Sequence, residues 1–169
     1  ENVFKNTGET SANTILYGHN LRTENFFAEI TEYRRVNLDD SLEFLKQHPV
    51  IEFNTLYEKA KYKIFSVMIL NTREEYGEVF NYPAMIDFKN REEFNYFASE
   101  CLDRSDFFTG VDMKYGDKFL TLSTCEFEVG LYDMRIVIVA RKVRDGESDE
   151  FTEEQIASFR RNPDPKVCD

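Results

Sequence analysis

At 169 residues the chain has the size of one domain, large enough to bury a core without metal or disulfide staples. Its 41% hydrophobic content, with 16 Phe and 9 Tyr, excludes a disordered chain. A formal net charge of -11 without a basic stripe argues against a nucleic-acid partner, and no run approaches the roughly 20 apolar residues of a membrane span.

Residues 1–13 are polar and irregular and are expected to be loose, with no signal-peptide core in residues 1–20. "TILYGH" then alternates Ile15, Tyr17 and His19 on one face, as a half-buried strand does. "ENFFAEITEYRR" and "DDSLEFLKQHP" carry apolar residues at helical spacing, the second behind an Asp cap and before a Pro. "VIEFNTLY" and "YKIFSVMIL" flank the polar "EKAK", which reads as an antiparallel hairpin at the centre of the sheet. After a turn-rich stretch, residues 90–104 repeat apolar side chains at Phe94, Phe97, Ala98, Cys101 and Leu102, a helix opened by Asn90 and Glu93 in a pattern resembling a capping box.

"KFLTLSTC" and "RIVIVARKV" are the last two strong strands, and a hairpin is their cheapest connection. Thr152 and Gln155 make a capping-box pattern, with Phe151 and Ile156 as its staple, ahead of a short helix that "NPDP" ends. Residues 162–169 are expected to be loose. No repeat or linker divides the chain, so residues 1–169 read as a single domain, mainly β with peripheral helices.

The chemistry centres on one thiol. Cys125 shares its strand face with Phe119, Thr121 and Ser123, and taken alone it reads as a small buried hydrophobe. A thiolate nucleophile needs a nearby acid/base, and only His19 and His48 are available. His48, between a helix end and Pro49, suits a cap or an exposed position. His19 ends a strand beside Gly18, which permits close approach, although a satisfied strand-end histidine explains it equally well.

Arg135 opens the strand after Cys125, so a hairpin makes the two neighbours, and its guanidinium fork could hold a carbonyl or a developing oxyanion. The bland alternative is an ordinary surface arginine of the kind that Arg141 and Arg144 represent. Cys101 reads as core, Cys168 lies in a polar tail, and a disulfide between them stays open. The acidic runs at 39–40 and 147–154 have no calcium-loop spacing and read as solvated faces.

"TILYGHNLR", "YKIFSV", "TLSTC" and "MRIVIVARKV", in this order, resemble a class B sortase over residues 13–143. The helix at about 90–104 is similar to the extra helix that marks class B. The resemblance implies a closed, mostly antiparallel β-barrel and a cysteine transpeptidase on the extracellular face of a Gram-positive cell membrane. It implies His19, Cys125 and Arg135 as catalytic residues, with Tyr17, Ser123, Thr124, Glu126 and, by approximate offset, Tyr82 as substrate contacts. The implied substrate is a surface protein bearing a sorting motif like Asn-Pro-x-Thr-Asn/Gly, cleaved after Thr through a thioacyl-enzyme. The acceptor would be an amine of a peptidoglycan precursor or a pilin lysine, with no metal or other cofactor. A cysteine protease is the rival reading. Members of the family carry an N-terminal anchor and further elements ahead of "NTILYGHN", and these are expected to be absent here.

Overall fold

The computed structural model describes residues 11–19, 27–125 and 134–166. Its framework is a five-stranded sheet of β1 (Asn13–Tyr17), β2 (Val50–Asn54), β3 (Lys59–Asn71), β5 (Phe119–Cys125) and β6 (Met134–Lys142), in the order β1-β5-β6-β3-β2. β1 runs parallel to β5 and the other neighbours are antiparallel. α1 (Leu38–Gln47), α2 (Arg91–Asp103) and α3 (Glu153–Ala157) surround the sheet, with a short pair of β4 (Phe107–Phe108) and β7 (Arg160–Arg161) beside it.

The sheet is a curled half-barrel, not the closed barrel expected from sequence. Among the described residues β1 and β2 are its two edges and do not pair with each other. The β1 edge is covered instead by the segment before α2. Ile86 carbonyl oxygen accepts from Asn13 N–H at 2.7 Å, and Asp87 Oδ1 accepts from Ala12 N–H at 2.9 Å.

The β2–β3 hairpin forms as expected, but the centre of the sheet is β6 and β2 is an edge. The physical reason is visible in composition. "RIVIVA" is apolar at every position after the arginine, as a strand buried on both faces must be, and residues 136–140 are fully buried. On one face Leu120, Ile136, Ile138 and Ala140 pack under α1 and the 3-10 segment Phe27–Arg34. On the other, Phe119, Val137 and Val139 pack under α2. A bulge between Ile64 and Ser66 keeps β3 in step, so that Tyr62 and Ile64 share a face with Val67 rather than with Met68.

The helix ends follow local chemistry. α1 is capped by Asn37, whose side chain accepts from Asp39 N–H at 3.1 Å, rather than by an Asp. Asp39 and Asp40 occupy the first turn, where negative charge faces the helix dipole. Asn90 caps α2 through Glu93 N–H at 2.8 Å, and the Glu93 carboxylate reaches Lys89 N–H at 2.9 Å, one residue earlier than in a strict capping box. The Thr152/Gln155 box is complete. Cys101 is a free thiol fully buried in α2, where burial pushes its pKa up, and Cys168 lies outside the described residues.

Parts of both segments expected to be loose are tied down. Asn13 is fully buried, its side chain bonded to Thr121 and to the Met85 carbonyl. In the tail, Asn162 donates to the Ser105 carbonyl at 2.8 Å, and Lys166 pairs with Glu78 and Glu100.

Arg141 is not a surface arginine. It is 1% exposed and holds Glu147 through two bonds of 2.6 and 2.7 Å, while Lys63 reaches the same carboxylate at 3.0 Å. Glu147, read from sequence as part of a solvated run, therefore neutralises a buried cation, and the Arg141 bond is the main cause that holds its carboxyl well below the usual range. Glu147→Gln is expected to cost about 2 kcal/mol, less than the loss of a fully buried pair because the carboxylate is partly in water. Because the folded-state value is depressed, the contribution is complete above the unfolded value of about 4.3 and fades as pH falls below it. Urea midpoints of the two proteins should thus differ at pH 7 and converge toward pH 3; a constant gap would contradict this.

Candidate active site

Four strand ends meet at one edge of the half-barrel. β5 ends at Cys125, β6 begins beside it with Arg135 directly opposite, and Leu70 near the end of β3 faces Arg135 from the other side. β1 ends at Tyr17, in register with Ser123. The alternation of side chains puts Tyr17, Ser123, Cys125 and Arg135 on the α2 face of the sheet.

The Cys125–Arg135 neighbourhood expected from a hairpin is present as a direct contact: Arg135 Nη1–H donates to Cys125 Sγ at 2.7 Å. A guanidinium donor at that distance stabilises negative charge on sulfur. Cys125 is half-buried, so the buried-hydrophobe reading does not fit it. His19 lies two residues beyond Tyr17, as Cys125 lies two beyond Ser123. The parallel pairing runs as far as Tyr17 and Ser123, Gly18 N–H then donates to the Ser123 carbonyl at 3.1 Å, and His19 itself is exposed.

Tyr82, placed from sequence by offset alone, is brought to the site by the 3-10 turn Tyr82–Ala84, with Pro83 in its first turn. Its hydroxyl shares a hydrogen bond of 2.8 Å with that of Ser123. Burial raises the pKa of the Tyr82 phenol, partly offset by the Ser123 hydrogen bond and the Arg135 charge. Burial also raises that of Tyr17, against the same arginine. Both phenols are therefore neutral hydrogen-bonding groups at pH 7, and Tyr17 is 61% exposed, free to meet a ligand.

Thr124, expected among the substrate contacts, is fully buried on the opposite face and donates its hydroxyl to the Gly18 carbonyl at 2.9 Å. Glu126 lies outside the described residues. Sequence reasoning missed the partner of Gly18: a Cβ there would stand 2.3 Å from Cγ of Phe27. The glycine itself was the signal, since close approach was read from it, but the ring that approaches comes from a segment that periodicity does not aim. Among the described residues no three His, Cys, Asp or Glu side chains gather as metal ligands would.

This combination of curled sheet and strand-end thiol, arginine and histidine is that of a sortase. The sortase domain family matches residues 3–143, and the chain belongs to that family. Its relatives are of class B. It is 30% identical to sortase B of Staphylococcus aureus over 78% of this chain and 49% of that protein, and 29% identical to sortase B of Listeria monocytogenes over 83% and 52%. The chain thus spans about half the length of these relatives. Among solved structures it resembles S. aureus sortase B with a TM-score of 0.65 at 30% identity, covering 80% of this chain and 58% of that one. Clostridium perfringens sortase B gives 0.65 at 26% identity, covering 83% and 69%.

Proposed function

We propose that the protein is a class B cysteine transpeptidase that joins a surface protein to a cell-wall amine on the outside of a Gram-positive cell. The observation that carries this reading is the guanidinium donor 2.7 Å from a half-buried thiol, at the strand end where a histidine also arrives. In this reading Cys125 attacks the Thr carbonyl of an Asn-Pro-x-Thr-Asn/Gly-like sorting motif. The S–C bond forms as the C–N bond breaks, and His19 gives its proton to the departing amine. An incoming amine then attacks the thioester, losing a proton to His19 as the thiolate leaves.

Arg135 donates to the substrate carbonyl as it becomes an oxyanion, a role that asks for donors already in place. Tyr17, Ser123 and Tyr82 line the approach, and Glu126 follows the thiol in sequence. Support comes from the relatives: S. aureus sortase B has been solved in a substrate complex, and a sortase B has been solved with triglycine. The chemistry asks for no metal or organic cofactor.

Mass spectrometry after incubation with a panel of sorting-motif peptides tests the reading. A thioacyl adduct on Cys125, discharged to a new amide by added triglycine, is the expected result. Discharge to water alone would favour a protease, and discharge only to a protein lysine would favour a pilin-polymerising enzyme. No adduct with any peptide of the panel would overturn the assignment.

A further inference from the structure

The peptide that leads into His19 is gripped from three directions. Gly18 N–H donates to the Ser123 carbonyl at 3.1 Å, and the Thr124 hydroxyl donates to the Gly18 carbonyl at 2.9 Å. The Phe27 ring closes on the third side, so near that even a methyl group would not fit. Both partners in β5 are the residues immediately before Cys125, so the grip ties the histidine-bearing peptide to the thiol-bearing strand itself.

Such a device answers a specific weakness. Cys125 is held by its place in β5, by the ladder to β6 and by Arg135. His19 lies past the last paired residue of an edge strand, where backbone opens most easily. A displacement of about 1 Å between reacting groups can cost 10²-fold in rate, and nothing in the β1–β5 ladder beyond Tyr17 sets the height of the imidazole. The Thr124 side chain faces away from Cys125, under the opposite core, so it cannot reach a substrate on the thiol face.

We propose that Thr124 and Phe27 are positioning residues. Together they clamp the Gly18 peptide and thereby fix His19 relative to Cys125. The proposal rests on the roles given above to His19 and Cys125, and its test has one arm that needs no sorting peptide.

Thr124→Val keeps the shape and removes the hydroxyl. It is expected to lower kcat for peptide cleavage by about 10- to 100-fold with KM little changed. The pH profile for iodoacetamide alkylation of Cys125, followed on that peptide by mass spectrometry, should move onto the profile of His19→Ala. Thr124→Ser, which restores the hydroxyl, should return both readings toward wild type. Wild-type kcat and profile in Thr124→Val, or equal damage in Thr124→Ser, would overturn the clamp, as would identical alkylation profiles for wild type and His19→Ala. Should Thr124→Val fail to fold, Gly18→Ala pushes the same peptide from the Phe27 side and is judged by the same two readings. If wild type forms no adduct with any sorting peptide, the transpeptidase reading falls while the alkylation profiles still decide the clamp.

Discussion

Under the proposed mechanism, Arg135→Ala is expected to lower the rate of thioacyl formation by about 10²- to 10³-fold, the cost of removing one preorganised oxyanion donor. The expectation follows from register. Cys125 and Arg135 are directly opposed in the β5–β6 ladder, so the guanidinium reaches the thiol without crossing the site, and the 2.7 Å contact leaves other N–H groups of the fork for a carbonyl. Arg135→Lys retains the charge but has no planar fork, and it should recover only part of the loss. Single-turnover cleavage of a sorting peptide, read beside the circular dichroism of each variant, separates this from misfolding. A folded Arg135→Ala protein with the wild-type rate would remove the arginine from the mechanism.

The largest loss of stability is expected at the other end of the same strand as the thiol. Phe119 is 1% exposed and lies at the meeting point of Phe65, Phe88, Phe94 and Phe97, with ring centroids 5.3 to 6.0 Å away. Phe119→Ala leaves a cavity among rings that are held by three different elements and cannot all collapse into it. About 3–5 kcal/mol is the expected cost, a large share of the roughly 5–15 kcal/mol that holds a domain folded. Phe119→Leu should cost clearly less. Urea midpoints measure both, and a difference between Ala and wild type below about 1 kcal/mol would mean that α2 closes over the gap.

The same strand shows what a linear reading captures and what it does not. Alternation along 119–125 assigns Phe119, Ser123 and Cys125 to one face, and the structure places them on the α2 side of the sheet. Helix 90–104 and its cap were legible because an apolar stripe and an Asn cap are local signals. Arg141 was not, since an arginine at a strand end looks the same whether it meets water or Glu147 six residues on. The placement of Thr124 was not legible for a related reason. Its neighbour in sequence is the thiol, but its neighbour in space is the carbonyl of Gly18, 106 residues away along the chain. Tyr82 reached Ser123 across 41 residues, a pairing that no periodicity specifies.

Period-two and period-3.6 patterns, caps and turn residues determined by themselves the five strands of the main sheet, the three α-helices and the β2–β3 hairpin, though not the β4–β7 pair or the 3-10 form of Phe27–Arg34. The short connection between β5 and β6 determined that Cys125 and Arg135 would be neighbours. Those features depend on interactions between residues close in sequence, where spacing fixes geometry. Strand order, the open half-barrel, the central place of β6 and the grip on the Gly18 peptide were decided only by the tertiary structure. They arise from which apolar faces find each other across long loops, and that choice minimises exposed surface over the whole chain rather than along any one segment of it.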